Sequence, residues 1–397
     1  MVFNAVLSNR EHPEYGQVTI PFPFPEEHYD YIMSLLKPLE IGDPLHPDCQ
    51  VDEIGNTHYT VLKAMEGGMA NVDELDYLAR RLESFWTGED AQFQCMTSKL
   101  NLTTPADLIN LTFCCQQATA ITDFSKLESA GRDHMMNLNG GSMPSKDYES
   151  VNGTKVAKEL IASGKGEITP YGVVFDNGME LEQVYDGLLF PVYLYSADIA
   201  FAMSVYPEGA DMTASDGTVI YFPCNDLRLQ RALERGGIDE ENMQVKIAEY
   251  IMPEEVFRCV DFQNESLETI NKMAAAVARL EQNGADKLRA AVKFAEPANA
   301  HQLMNLAKHL EDFDFAPGVK NYLELGQYMI RDSGAFEYDG NLEGFYNYES
   351  YGTHFAASHG GSFNEHGYIS YEGVTPLQEI LTEGQKEAAL DFEMGGM

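Results

Sequence analysis

Apolar and polar positions alternate from the first residues: Val2, Asn4, Val6 and Ser8 fall on one side, Phe3, Ala5 and Leu7 on the other. A period of two predicts a strand. Val18-Thr-Ile-Pro-Phe-Pro-Phe24 predicts a second strand, and its prolines, which cannot donate to a ladder, put it on an edge. The period then lengthens. Glu26 to about Leu36 reads as a helix with Tyr29, Ile32, Met33 and Leu36 inward, and Cys49-Gln-Val-Asp-Glu-Ile54 as a further strand. Asn71 is placed to cap a helix over 72–85 whose stripe is Leu75, Leu78, Leu82 and Phe85, leaving Asp73, Asp76 and Glu83 off it. Helices over 89–100 and 106–114 follow, Pro105 sitting near a first turn. Farther on, Tyr171 to Phe175, Asp-Asn-Gly178 and Met179 to Tyr185 suggest a hairpin, with strands at 190–195 and 201–206.

The same order of signals then returns. Phe222-Pro-Cys leads into a helix with Leu229, Ala232 and Leu233; Gln244 to Tyr250 reads as a strand; Ile270, Met273, Val277 and Leu280 repeat the spacing of Leu75 to Phe85. Gln302-Leu-Met-Asn-Leu306 answers Asp107-Leu-Ile-Asn-Leu111. Phe345-Tyr-Asn-Tyr-Glu-Ser-Tyr-Gly352 with Gly360-Gly-Ser-Phe363 answers Phe124-Ser-Lys-Leu-Glu-Ser-Ala-Gly131 with Gly140-Gly-Ser-Met143. Five matches in one order, near 200 residues apart, indicate two copies of a module at roughly 16–145 and 217–373; the period is too long for a solenoid. The expected class is α+β: several small antiparallel sheets with helices and small helical bundles, duplicated in tandem. The pattern divides the chain into a small α+β domain at 1–60, a helical domain at 61–145, a linker and β-rich insert at 146–216, a second α+β domain at 217–262, a second helical domain at 263–320 and an acidic α+β domain at 321–397.

Charge changes the picture most. The chain has 63 acidic and 26 basic residues among 397, a formal net of −37. Such an excess works against compaction, and it excludes contact with nucleic-acid phosphates, which needs clustered Lys and Arg. On the duplex scale of about one charge per 1.7 Å, it equals roughly 60 Å of DNA, about 18 base pairs. The excess is uneven. Past Asp312 only Lys320, Arg331 and Lys386 offset a long series of carboxylates, whereas 146–165 holds Lys146, Lys155, Lys158 and Lys165. Evenly spread solubilising charge does not look like this.

Reactive chemistry finds little support. The six cysteines form no Cys-x-x-Cys pair, and Cys114-Cys115, set among Leu108, Leu111 and Phe113, reads as a buried, inert pair. His354, His359, His366 and Glu365 share a loop-rich stretch, but their spacing matches neither a helical His pair nor a zinc knuckle, so no metal or cofactor is expected. Asp312-Phe-Asp314 lacks the later ligands of a calcium loop, and Gly164-Lys165-Gly166 lacks the frame of a phosphate loop. No catalytic residue is assigned. The start lacks a signal-peptide pattern, and Pro191 and Asp198 interrupt the most lipid-like stretch, 188–206; a cytoplasmic protein is expected.

Leu325-Gly-Gln-Tyr-Met-Ile, Phe336-Glu-Tyr, Asn341 to Gly352 and Gly361-Ser-Phe-Asn-Glu-His-Gly-Tyr-Ile369 resemble the C-terminal domain of ArdA antirestriction proteins. The preceding helices, such as those over 301–315, and the Asp73-Glu-Leu-Asp-Tyr-Leu-Ala helix resemble that family's small helical middle domain. The resemblance implies an elongated acidic DNA mimic from mobile elements that occupies the DNA-binding groove of type I restriction–modification enzymes of the bacterial host. By it, Glu324, Asp332, Glu337, Asp339, Glu343, Glu349, Glu365 and Glu372, with Asp73, Asp76 and Glu83 in the first module, are expected to stand in for phosphates. A homodimer or a single-chain pseudo-dimer would follow. The alternative is an acidic binding module that sequesters some other basic nucleic-acid-binding protein of a mobile element.

Overall fold

The computed structural model describes residues 1–86, 88–192, 198–214, 217–280 and 282–384. They form two compact units: 1–191 with 227–237, and 192–226 with 238–397. Mixed helices and small antiparallel sheets make both, in keeping with an α+β class.

The first unit begins with β1 (Phe3–Ser8), β2 (Gln17–Phe22), α1 (Tyr29–Leu36), β3 (Cys49–Gly55) and β4 (Met69–Ala70), in a sheet ordered β2-β1-β3-β4. The proline-bearing strand is on the edge. Phe3, Ala5, Leu7, Ile20 and Phe22 are fully buried beneath α1, which turns Tyr29, Ile32, Met33 and Leu36 inward. Helices α2 (Val72–Glu83), α3 (Glu89–Leu100) and α4 (Pro105–Leu111) follow. The Asn71 side chain accepts the N–H groups of Asp73 and Glu74, satisfying two of the donors a helix start leaves bare. Then come β5 (Thr119–Ile121), α5 (Leu127–Leu138), α6 (Ser145–Ser150), α7 (Gly153–Ala162), β6 (Glu167–Thr169) and β7 (Gly172–Phe175), with sheet order β5-β7-β6.

The second unit contains β8 (Phe201–Pro207), β9 (Thr218–Phe222), β10 (Met243–Tyr250), α9 (Leu267–Ala278), α10 (Gln282–Ala295) and α11 (Ala300–Lys308); α8 (Asp226–Gly236) lies between β9 and β10 in the chain. It continues through β11 (Phe313–Pro317), α12 (Tyr322–Gln327), α13 (Tyr348–His359), β12 (Ser362–Asn364), β13 (Gly367–Tyr371) and α14 (Leu377–Leu381). Its sheets are ordered β10-β8-β9 and β11-β13-β12.

From residue 71 onward the two units share a register. Thr119 pairs Phe175 and Ile121 pairs Val173 in one sheet; Asp314 pairs Ser370 and Ala316 pairs Tyr368 in the other, each residue 195 positions later. Glu167–Val174 and Ser362–Ile369 keep that spacing. So do the capping residues Asn71 and Ser266, Thr104 and Asn299, and Asn152 and Asn347. Buried Asn110 donates to the carbonyl of Tyr185, and buried Asn305 to that of Ile380.

Two expectations change, and a third lies partly beyond the described residues. Residues 167–175 were read as part of an insert, yet β6 and β7 complete the sheet begun by β5. The 179–185 arm of the expected hairpin is no strand; Tyr185 is held instead by the Asn110 side chain. Of the strand expected over 190–195, residues 193–195 lie outside the described residues. The two Glu-Ser-x-Gly motifs are also not structural counterparts. At the constant spacing Gly131 answers Gly326 on α12, and Gly352 answers Ala157 on α7. Both glycines of the motif do serve one purpose, the close crossing of two helices. A Cβ on Gly131 would lie 1.9 Å from the Gly153 carbonyl oxygen, and one on Gly352 would lie 1.9 Å from that of Tyr322.

Candidate partner-binding surface

The C-terminal part of the second unit packs Ala316, Val319, Leu325, Ala356 and Tyr368 into a small core, with Tyr328, Met329, Phe355 and Phe363 around it. Helices α12 and α13 cross over Gly326 and Gly352, so close that a Cβ on Gly326 would lie 1.8 Å from the carbonyl oxygen of Tyr348. Between them runs a 20-residue connection, 328–347, whose residues 331–342 are all exposed. It starts with a π turn over Tyr328–Asp332 and ends in a 3-10 turn over Gly340–Phe345. The Asp339 carboxylate opens that turn by accepting the Asn341 N–H at 2.9 Å.

An internal clamp holds the connection in shape. The Arg331 guanidinium pairs with the Glu343 carboxylate and donates to the Tyr348 hydroxyl at 3.0 Å. The hydroxyls of Tyr338 and Tyr348 donate to Glu343 Oε2 at 2.5 and 2.7 Å. Arg331 lies 4.8 Å above the Tyr348 ring, within cation–π range, and Tyr346 packs between the other two tyrosines. The interleaved tyrosines therefore brace the loop. Phe345, 85% exposed, and Phe336, 49% exposed, remain toward solvent.

The eleven carboxylates expected to face a partner divide into three sets. Asp332, Glu337, Asp339, Glu349 and Glu372 are exposed and make no ion pair among the described residues. Glu83 is exposed beside the Met1 ammonium at 3.6 Å. A second set is engaged locally: Glu343 in the clamp, Glu365 3.5 Å from Lys293, and Glu324 accepting the Lys320 N–H and the Asn321 side chain at the start of α12.

The third set is turned inward. Asp76 is 4% exposed and accepts from the Phe24 N–H at 2.6 Å, Arg80 at 2.9 Å and Arg228 at 3.1 Å. Burial alone would raise its pKa, but the two guanidiniums and the N–H outweigh burial and hold it below the usual carboxylate range. Asp73 takes a two-pronged contact from Arg231 at 3.1 and 2.7 Å. These carboxylates were off the apolar stripe, yet that face of α2 is covered by the helix bearing Arg228, Arg231 and Arg235, a tertiary contact no helical period reveals. They are fold-bearing charges, not displayed ones.

Chemistry of other kinds is sparse. Burial pushes the Cys114 and Cys115 thiols up, the opposite of what a thiolate nucleophile needs. One group of potential metal ligands forms among the described residues, Glu255 with Glu365 and His366. No helix among the described residues is long and apolar enough to cross a membrane.

Charge separates the two units at matching positions. Residues 119–185 and 314–380 each carry ten carboxylates, but the first stretch has six Lys and Arg and the second has only Lys320 and Arg331. The acidic surplus of residues 314–380 thus comes from cations that stretch lacks. Comparison with curated proteins finds no match. The family model described as antirestriction protein (ArdA) matches residues 211–370, a stretch running from ahead of β9 into β13 and containing the whole 328–347 connection. By that match residues 211–370 are similar to the ArdA antirestriction family.

Proposed function

We propose that the chain is a non-enzymatic antirestriction protein that acts as a DNA mimic, occupying the DNA-binding groove of type I restriction–modification enzymes in the bacterial cytoplasm. The observation that carries this reading is the coincidence of the family match with an exposed, internally braced connection bearing Asp332, Glu337 and Asp339, flanked by Glu349, none of them in an ion pair among the described residues. A groove that tracks duplex phosphates is lined by Lys and Arg. Fixed carboxylates offer such a groove the charge it is built to meet, and clamping the loop beforehand lowers the ordering cost of binding. Long-range attraction between the acidic chain and a basic groove speeds encounter and weakens as salt shortens the Debye length. The constant 195-residue register supports an origin by tandem duplication, with the more basic first unit acting as scaffold.

Displacement of DNA from a type I methyltransferase, measured by fluorescence anisotropy at low and moderate salt, tests the proposal. The combined variant Glu337→Gln, Asp339→Asn, Glu349→Gln is expected to displace DNA at least tenfold less well at low salt, with a shallower salt dependence. Asp73→Asn is expected to alter stability but not the salt dependence. Undiminished displacement by the triple variant would place the contact surface elsewhere. Failure of the native chain to displace DNA from enzymes of several specificities would remove the restriction target and leave sequestration of another basic protein.

A further inference from the structure

We propose that Glu255, Glu365 and His366 form a binding site for one divalent transition-metal ion of the zinc type, separate from the partner-binding surface. His366 sits in the tight turn between β12 and β13; its side chain is 10% exposed, and its Nε2 has no hydrogen-bond partner among the described residues. That nitrogen faces Glu365 Oε1 at 3.6 Å and Glu255 Oε1 at 3.8 Å, and the three ligand atoms lie within 4.8 Å of one another. Tetrahedral zinc, with bonds of about 2.0–2.1 Å, places its ligand atoms about 3.3 Å apart. Two edges of the triangle are therefore within a few tenths of an ångström of metal-binding geometry. A third protein ligand from a 3-10 turn, Glu254–Phe257, closes the set, and water would complete the coordination.

The first unit supplies an internal control. At the positions 195 residues earlier stand Thr60, Pro170 and Tyr171; Thr60 lies ahead of residue 71, but its hydroxyl donates to the Tyr171 hydroxyl at 3.3 Å as Glu255 faces His366, so the register reaches back to it. The β6–β7 turn has the same register as the β12–β13 turn, so this junction folds without a charge and with its polar atoms joined. In the second unit the fold's neutral solution is replaced by two carboxylates and an imidazole, and a buried nitrogen is left open. Those residues answer a need that folding alone does not create.

Neighbouring charges fit this assignment. Arg289 pairs with Glu255 and also donates to Asp286 at 2.9 Å, while Lys293 lies 3.5 Å from Glu365. The cations sit on Oε1 of each glutamate, the same oxygens that face His366 Nε2, so a metal taking those oxygens requires each cation to shift to the second oxygen of its carboxylate, where it fixes the ligand's orientation. An imidazole nitrogen with two carboxylate oxygens suits zinc, cobalt or nickel; calcium and magnesium prefer oxygen throughout.

The full-length chain, stripped with chelator, is to be titrated with Zn(II) by calorimetry and with Co(II) by visible absorption. One equivalent per chain is expected, with cobalt bands of low-symmetry coordination and a thermal midpoint that rises with Zn(II) and falls again with EDTA. The double variant Glu255→Thr, His366→Tyr, which installs the first unit's residues, is expected to fold, to bind at least tenfold more weakly and to lose the zinc-dependent rise. Should it fail to fold, Glu365→Gln reads the same loss. Zinc binding of undiminished strength in these variants, or no stoichiometric binding by the native chain, would overturn the site and leave a network of ion pairs.

Discussion

Replacing Gly352 with Ala sets two effects of opposite sign against each other. Glycine inside a helix costs about 1 kcal/mol relative to alanine, so helix propensity alone predicts that Gly352→Ala stabilises α13. The structure predicts the reverse. The added Cβ would lie 1.9 Å from the Tyr322 carbonyl oxygen and 2.8 Å from the Gly326 nitrogen, both backbone atoms of the facing helix. Carbon–oxygen contacts relax only beyond about 3.3 Å, so α12 and α13 must part by more than about 1 Å. Separation on that scale loosens fully buried Leu325 and its contacts with Ala356 and Tyr368. Overpacking of this kind costs about 1–3 kcal/mol, and more where backbone rather than a side chain must yield. Taking about 4 kcal/mol against the 1 gained leaves a net loss of about 3 kcal/mol, or roughly 6–12 °C in the thermal transition of the second unit. The control is Gly344→Ala, whose Cβ meets nothing within 4 Å, expected to stay within about 0.5 kcal/mol. Urea denaturation followed by circular dichroism gives both values. If Gly352→Ala matches or exceeds the native midpoint, close helix crossing is not what this glycine serves.

Asp76→Asn should cost about 3–5 kcal/mol, because Arg80 and Arg228 would keep their charges without the carboxylate between them. As the folded-state pKa of Asp76 is depressed, its contribution is present above the ordinary Asp range and is lost as pH falls through the depressed value. The native chain should therefore lose stability on acidification through that window more steeply than Asp76→Asn, and parallel acid limbs in urea midpoints would refute this. Asn305→Ala removes side-chain donors to the carbonyls of Ile380 and Glu383, and Asn110→Ala the paired bonds to Tyr185; each should cost about 1–3 kcal/mol. Hydrogen exchange should quicken over 376–384 in the first variant and over 179–186 in the second. Equal exchange in variant and native chain would deny those side chains their anchoring role.

The amphipathic pattern reported local structure well because each local element has one dominant period. Leu75, Leu78 and Leu82 on α2, and Ile270, Met273 and Val277 on α9, are buried as their spacing predicts. The pattern also matched 75–85 to 270–280 and 107–111 to 302–306 at the true spacing, but past residue 119 it could not report the register. Two glycine motifs of similar wording, at Gly131 and Gly352, drew the eye to a correspondence of 221 positions, while strand pairing obeys 195. Thr119 answers Asp314 and Phe175 answers Ser370, so along these strands the 195-residue alignment carries little likeness of residue type, although Asn110 and Asn305, and Gly131 and Gly326, do coincide. The candidate surface was legible as a surplus of acids, but not which acids were spent. Glu343 and Asp339 look alike in sequence; only Arg331, folded back across the connection, distinguishes the clamped one from the displayed one. Likewise Glu255 stands 110 positions from Glu365, too far for any ligand spacing to suggest it.

Helix α8 has a practical corollary. Its residues 227–237 count with the first unit, though the strands before and after it belong to the second. Arg231 reaches Asp73 and the Gly42 carbonyl, and Arg235, 4% exposed, donates to the Pro44 carbonyl and the Tyr185 hydroxyl. A fragment ending at residue 191 would strip α2 of the guanidinium facing Asp73 and leave Asp76 with Arg80 but not Arg228. Two halves cut at the middle of this polypeptide are thus not two smaller proteins, for the sequence of one half carries the counter-charges of the other. Any shortening of the chain in evolution or at the bench must respect that borrowed helix.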